Sequence, residues 1–150
     1  MAGKQQLSIG IHITGARETL AAFRRLPREA SEALRVRSGE LATVLAGQVQ
    51  SAARSDSPQS ALMAPTVKAR RDRIPVIEAG GASRVGSRST PAFKILFGSE
   101  FGARSYPQFR PHIGRDSYWM FKTVDENETQ IAEAWEQVVE DIRREYGQGM

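Results

Sequence analysis

Apolar and polar residues alternate from Leu7 to Thr14. Leu7, Ile9, Ile11 and Ile13 share one face, and Ser8, Gly10, His12 and Thr14 the other. A period of two with β-branched residues predicts a half-buried strand. A lone strand is unstable, so it must pair elsewhere in the chain or in a neighbour. Gly15 closes the strand. Glu18 stands three residues on, at capping-box spacing, and Leu20, Ala21 and Phe23 predict a short helix. Pro27 interrupts that helix or opens the next. From about Pro27 to about Arg54 good helix formers dominate, with Leu34, Leu41, Val44, Leu45 and Ala52 as the expected buried stripe. At roughly 1.5 Å per residue this rod is about 40 Å long, more than a globule of this size needs. Part of it is expected to project or to pack on another subunit. Ser38-Gly39 is a candidate kink.

Ser55 to Pro65 is rich in breakers and predicts a connection. Thr66–Arg70 and Ile74–Glu78 predict two extended pieces, a candidate hairpin around Asp72-Arg73, with Pro75 making the second an edge strand. Ala79–Pro91, with Gly80, Gly81, Gly86 and several serines, predicts a flexible loop. Ala92 to Phe97 predicts a strand, and Gly98 to Gly102 a turn out of it. Residues 103–115 read as irregular chain pinned by Tyr106, Phe109 and His112. Tyr118 to Phe121 form an apolar cluster. From about Thr123 to Tyr146 the period is helical again, with Ile131, Trp135, Val138, Val139 and Ile142 on one face. Thr123/Glu126 and Asp125/Glu128 offer two capping registers, and Gly147 ends the helix. The expected fold class is therefore α+β: a small, mostly antiparallel sheet against a long N-terminal helix and a C-terminal amphipathic helix.

Length and composition narrow this further. The chain of 150 residues is expected to form a single domain over 1–150. It has no cysteine, which excludes disulfides, thiolate metal sites and a cysteine nucleophile. No apolar run approaches a membrane span, and no secretory leader is expected. The net charge of +4 is unevenly spread. Residues 1–53 carry +3, 54–115 carry +7 and 116–150 carry −6. Arginine greatly outnumbers lysine, which suits bidentate pairing with carboxylate or phosphate. The split fits a solvated surface, pairing between subunits, or contact with nucleic acid through the basic middle.

Candidate chemistry is sparse. His112 with Asp116, beside Arg110 and Arg115, has the makings of a general base with a phosphate clamp, as in a small ribonuclease. A loop that packs Phe109 and Ile113 and exposes its charges explains the same residues more simply. No spacing suggests a metal cage, and Gly80, Gly81 and Gly86 lack the strand-to-helix setting of a phosphate loop. Ser55, Ser57 and Ser60 have no neighbouring base. No cofactor is expected. Lys68, Arg70, Arg71 and Arg73 cluster, and Arg84 and Arg88 follow in the glycine-rich segment. This is a footprint for phosphate contact without a recognition helix or interleaved aromatics.

The run Phe93-Lys94-Ile95-Leu96-Phe97-Gly98-Ser99-Glu100-Phe101-Gly102 precedes Tyr106-Pro107-Gln108-Phe109-Arg110-Pro111-His112. Gly114-Arg115-Asp116-Ser117-Tyr118-Trp119-Met120-Phe121 and the acidic helix follow. This order resembles the gene-product-ten-like minor tail-component (neck or tail-completion) family of long-tailed double-stranded DNA phages, above all versions from phages of actinobacteria. The resemblance is clearest over 93–146 and extends to 5–54; residues 56–91 match nothing in it. It implies a strand and long helix, a small sheet, a phenylalanine-then-proline loop and a closing helix. It implies assembly rather than catalysis: a sixfold homo-oligomeric ring in the virion, at the head–tail junction. Its partners would be connector and tail-tube proteins, with DNA passing through the lumen and no membrane involved. Neck protein, tail terminator and head-closure protein all fit. Arg70, Arg71, Arg73, Arg84, Arg88 and Arg110 are the candidate oligomer or DNA interface. The alternative is a small basic nucleic-acid-binding protein or nuclease.

Overall fold

Strand β1 (Gln6–Gly10) is shorter than the alternation expected to run as strand up to Gly15, but the burial pattern continues past it: Ile9, Ile11 and Ile13 are buried while Ser8 and His12 are exposed. The computed structural model describes residues 6–81, 83–113 and 116–147. Helix α1 (Ala16–Phe23) starts from Gly15, whose φ of 80° is the left-handed conformation that glycine adopts without strain. Helix α2 (Arg28–Asp56) then runs through 29 residues, past Ser38-Gly39, as one element. Its buried side chains are Ala30, Leu34, Ser38, Ala42, Leu45, Ala46, Val49 and Ala53. Leu34 and Leu45 were expected there, but Val44 is 57% exposed, and Leu41 and Ala52 are half-buried. Five of the eight buried positions are alanine or serine.

Three expectations for the middle of the chain are corrected. The breaker-rich stretch is helical: α2 continues to Asp56, and α3 (Pro58–Met63) follows, then a 3-10 turn, Ala64–Thr66. Ser57 caps α3, its hydroxyl accepting from the Ser60 N–H, and Pro58 sits in the first turn, where no N–H is needed. Strands β2 (Lys68–Arg70) and β3 (Val76–Gly80) form, but β3 is central, in the order β1-β3-β2. Pro75 stands just before the ladder and contributes its carbonyl, which accepts from the Ile11 N–H, so its missing donor costs nothing. The expected loop over 79–91 is in part paired: β3 runs to Gly80, and β4 (Arg84–Val85) and β5 (Thr90–Pro91) make a small antiparallel hairpin.

The fourth correction matters most. Ala92 to Phe97 is not a strand; α4 (Ala92–Phe101) is a helix. Its buried residues Ala92, Ile95, Leu96 and Ser99 recur at helical spacing, and a short apolar run alone does not tell helix from strand. Helix α5 (Met120–Tyr146) buries the Ile131, Trp135, Val138, Val139 and Ile142 face as expected. It runs antiparallel to α2: Leu26 lies by Gly147, Arg37 by Asp141 and Ser38 by Trp135. The fold is α+β, with the antiparallel sheet packed against α2 and α5. In the sheet Ile9, Ile77 and Ala69 stand side by side facing the core, while Ser8, Glu78 and Lys68 line the outer face.

Candidate functional site

Helix α4 and the chain that follows it form a set of braces that seat α5. Glu100 is fully buried on α4. Its carboxylate accepts from Ser117 Oγ at 2.7 Å and from the backbone N–H groups of Trp119, Met120 and Phe121 at 3.2, 2.7 and 2.7 Å. Ser117 Oγ in turn accepts from the Lys122 N–H. The unpaired donors of the first turn of α5 are thereby satisfied, with negative charge at the positive end of the helix dipole. This corrects the expected caps: Thr123, Asp125 and Glu126 lie inside the helix, which begins earlier.

The same braces hold the 103–113 segment. Gly98 lets the Phe109 ring lie against α4, since a Cβ there would stand 2.6 Å from it. Gly102, at φ 77°, lets the Pro111 carbonyl approach to where a Cβ would be 2.1 Å away. The Tyr118 hydroxyl donates to that carbonyl at 2.8 Å. Arg110 is ion-paired to Asp56 and lies over the Tyr118 ring, 3.7 Å from its centroid. Phe109 is the expected anchor, half-buried; Tyr106 is not, being 63% exposed.

Between this segment, the β4–β5 hairpin, α3 and α4 lies a cleft of about 870 Å³. Leu62, Val85, Ile95 and Phe109 supply apolar walls, and Arg88 and Lys94 supply cations. Both cations are exposed and make no ion pair among the described residues; no described residue lining the cleft is acidic. A second charged surface lies on α5. Asp125, Glu133, Glu136 and Glu140 recur at helical spacing on its solvent face, all exposed and none ion-paired to a described residue. The stripe runs for about 22 Å at ~1.5 Å per residue.

The candidate arginines are divided among several places. Arg70 pairs with Asp72 at 3.5 Å and Arg71 with Glu32 at 2.7 Å, both beside α2. Arg73 contributes its backbone carbonyl, which accepts from Ser38 Oγ and Trp135 Nε1, so it ties α2 to α5. Arg84 donates to the Ser89 carbonyl across the hairpin, and Arg88 faces the cleft. His112 is exposed, without a hydrogen bond to Asp116 among the described residues, and Arg115 lies outside those residues. Among the described residues no three histidine, aspartate or glutamate side chains converge as metal ligands, and no helix is long and apolar enough to cross a membrane.

Lys94 and Glu100 were missed from sequence because their segment read as strand and turn. The signal was the spacing of Ala92, Ile95, Leu96 and Ser99, which is i, i+3, i+4 and i+7. Comparison of the chain with family models, with curated proteins and with solved structures gave no match.

Proposed function

We propose that this chain is a structural virion protein of a tailed phage, working at the head–tail junction as a homo-oligomeric ring through which DNA passes. One observation carries the reading beyond the resemblance. A single protomer presents an acidic stripe on α5 and a cationic cleft beside α4, neither ion-paired among the described residues. Two different, complementary patches on one chain are what a head-to-tail contact needs, and such a contact closes into a ring when its rotation permits. The braces around Glu100 give this reading a mechanical logic. They fix the start of α5 to α4, so the acidic stripe and the cleft are held on one rigid frame. In this reading the chain performs no turnover and needs no cofactor. Its partners are further copies of itself, connector proteins and tail-tube proteins.

The test is electron microscopy of lysates after deleting the gene from its parent genome. Filled heads beside separate tails of normal length are expected for a joint protein. Tails of uncontrolled length would assign it to tail termination within the same reading. Intact, infectious particles would refute the virion reading. The nucleic-acid alternative predicts cleavage, or binding that weakens steeply with salt. Here Arg70, Arg71 and Arg110 already face carboxylates, which lowers the charge free for phosphate.

A further inference from the structure

We propose that the cleft between the β4–β5 hairpin and α4 receives the outer face of α5 from a second copy of this chain. The inference rests on the assembly reading and adds the place of the contact. The cleft combines apolar walls with the two cations Arg88 and Lys94, which have no ion-pair partner among the described residues. Bare phosphate would use the cations and leave the apolar walls in water. A surface carrying both aromatic and acidic groups would use both.

The chain exposes one such surface. Phe97, Phe101 and Phe121 form a ladder, with ring centroids 6.5 and 5.9 Å apart, and Phe97 and Phe121 are 42% and 38% exposed. Phe121 lies one turn before Asp125, so the ladder runs into the acidic stripe. On α4, at roughly 100° per residue, Phe97 and Phe101 lie well over a quarter turn from Ile95 but on the same face as Lys94, three and seven residues on, so the ladder borders the cationic edge of the cleft. No residue of α5 lines the cleft, so the acidic surface that meets its cations is a neighbour's stripe and not the chain's own.

The absence of cysteine makes a clean covalent test. Ser87→Cys, at the cleft, is combined in turn with Thr129→Cys, Glu133→Cys and Glu136→Cys, on the stripe. Under mild oxidation at least one combination is expected to give a ladder of dimers, trimers and larger species on a non-reducing gel. The single variants should stop at dimers. In sedimentation, Arg88→Glu with Lys94→Glu should weaken self-association at least tenfold. Glu133→Lys with Glu136→Lys should do the same, and mixing the two reversed proteins should restore association in which the two alternate at equal stoichiometry, since both of their contacts then join opposite charges. Association is expected to fall as salt screens the charges.

Wild-type chain that stays monomeric at its highest soluble concentration overturns the contact. So does self-association that survives both reversals without a cysteine ladder, although the ring reading then stands on another face. Cross-linking in assembled particles to a different protein instead of a second copy also overturns it. Intact particles without the gene refute the assembly reading itself, whatever the gel shows.

Discussion

Glu100 is the residue whose removal should cost this fold most for its size. Its carboxylate accepts four hydrogen bonds, three of them from backbone N–H groups at the start of α5. The Trp119 and Met120 donors are buried, and water cannot replace the lost partner without opening the core. Each buried donor left unsatisfied costs about 1–3 kcal/mol. Glu100→Ala should therefore lose about 4 kcal/mol, a large share of the ~5–15 kcal/mol that usually separates folded from unfolded chains. For a chain of this length that is about 8–16 °C in Tm. Glu100→Gln keeps the volume but turns one acceptor oxygen into a donor group facing donors, and should still lose about 2 kcal/mol. Equilibrium urea unfolding, followed by tryptophan fluorescence and far-UV circular dichroism, measures both. The first-turn amides of α5 should also lose protection from hydrogen exchange before the rest of the helix. A Glu100→Gln variant within about 0.5 kcal/mol of the wild type, the range of an ordinary surface change, would refute the bracing argument.

Gly102→Ala combines a glycine-only backbone conformation with a clash against the Pro111 carbonyl. It should cost about 3 kcal/mol or more by urea unfolding and free the 103–113 segment to proteolysis. Gly39→Ala and Gly47→Ala point the other way. Both lie inside α2, and an added Cβ meets nothing within 4 Å. Each should stabilise the isolated chain by about 0.5–1 kcal/mol, and a loss from either would mean that the α2 backbone is not regular there. Trp135→Phe removes a donor shared by the Arg73 carbonyl and Ser38 Oγ, at 2.8 and 3.1 Å. It should cost about 1–2 kcal/mol, and combining it with Ser38→Ala should cost less than the sum, because the three groups share one hydrogen-bond network.

Elements with a sustained periodicity were legible in the chain. The buried isoleucine face of the N-terminal alternation and the buried face of α5 follow from local pattern, because one apolar face repeated over many residues allows few alternatives, and a long α2 follows from its run of good helix formers. Ser57-Pro58 also held a helix start in plain view, but the density of breakers around it favours a connection when only composition is weighed. The short pieces were decided elsewhere. Ala92–Phe101 satisfies both strand composition and helical spacing, and packing on α3 settles it as helix. Pro75 suggested an edge, yet β3 became central because the proline falls one residue before the ladder. The start of α5 was decided furthest from its own sequence. Trp119 has no side-chain capping bond there, and the cap comes from a carboxylate twenty residues upstream that only the folded chain brings near. The basic residues show the same limit. Their clustering between Lys68 and Arg88 is a property of the chain, whereas their division into paired arginines beside α2 and free cations at a cleft is set by which carboxylates the fold places within reach. Periodicity is a local quantity and survives in the sequence. Partners that meet across long separations leave no local trace, and only tertiary packing decides them.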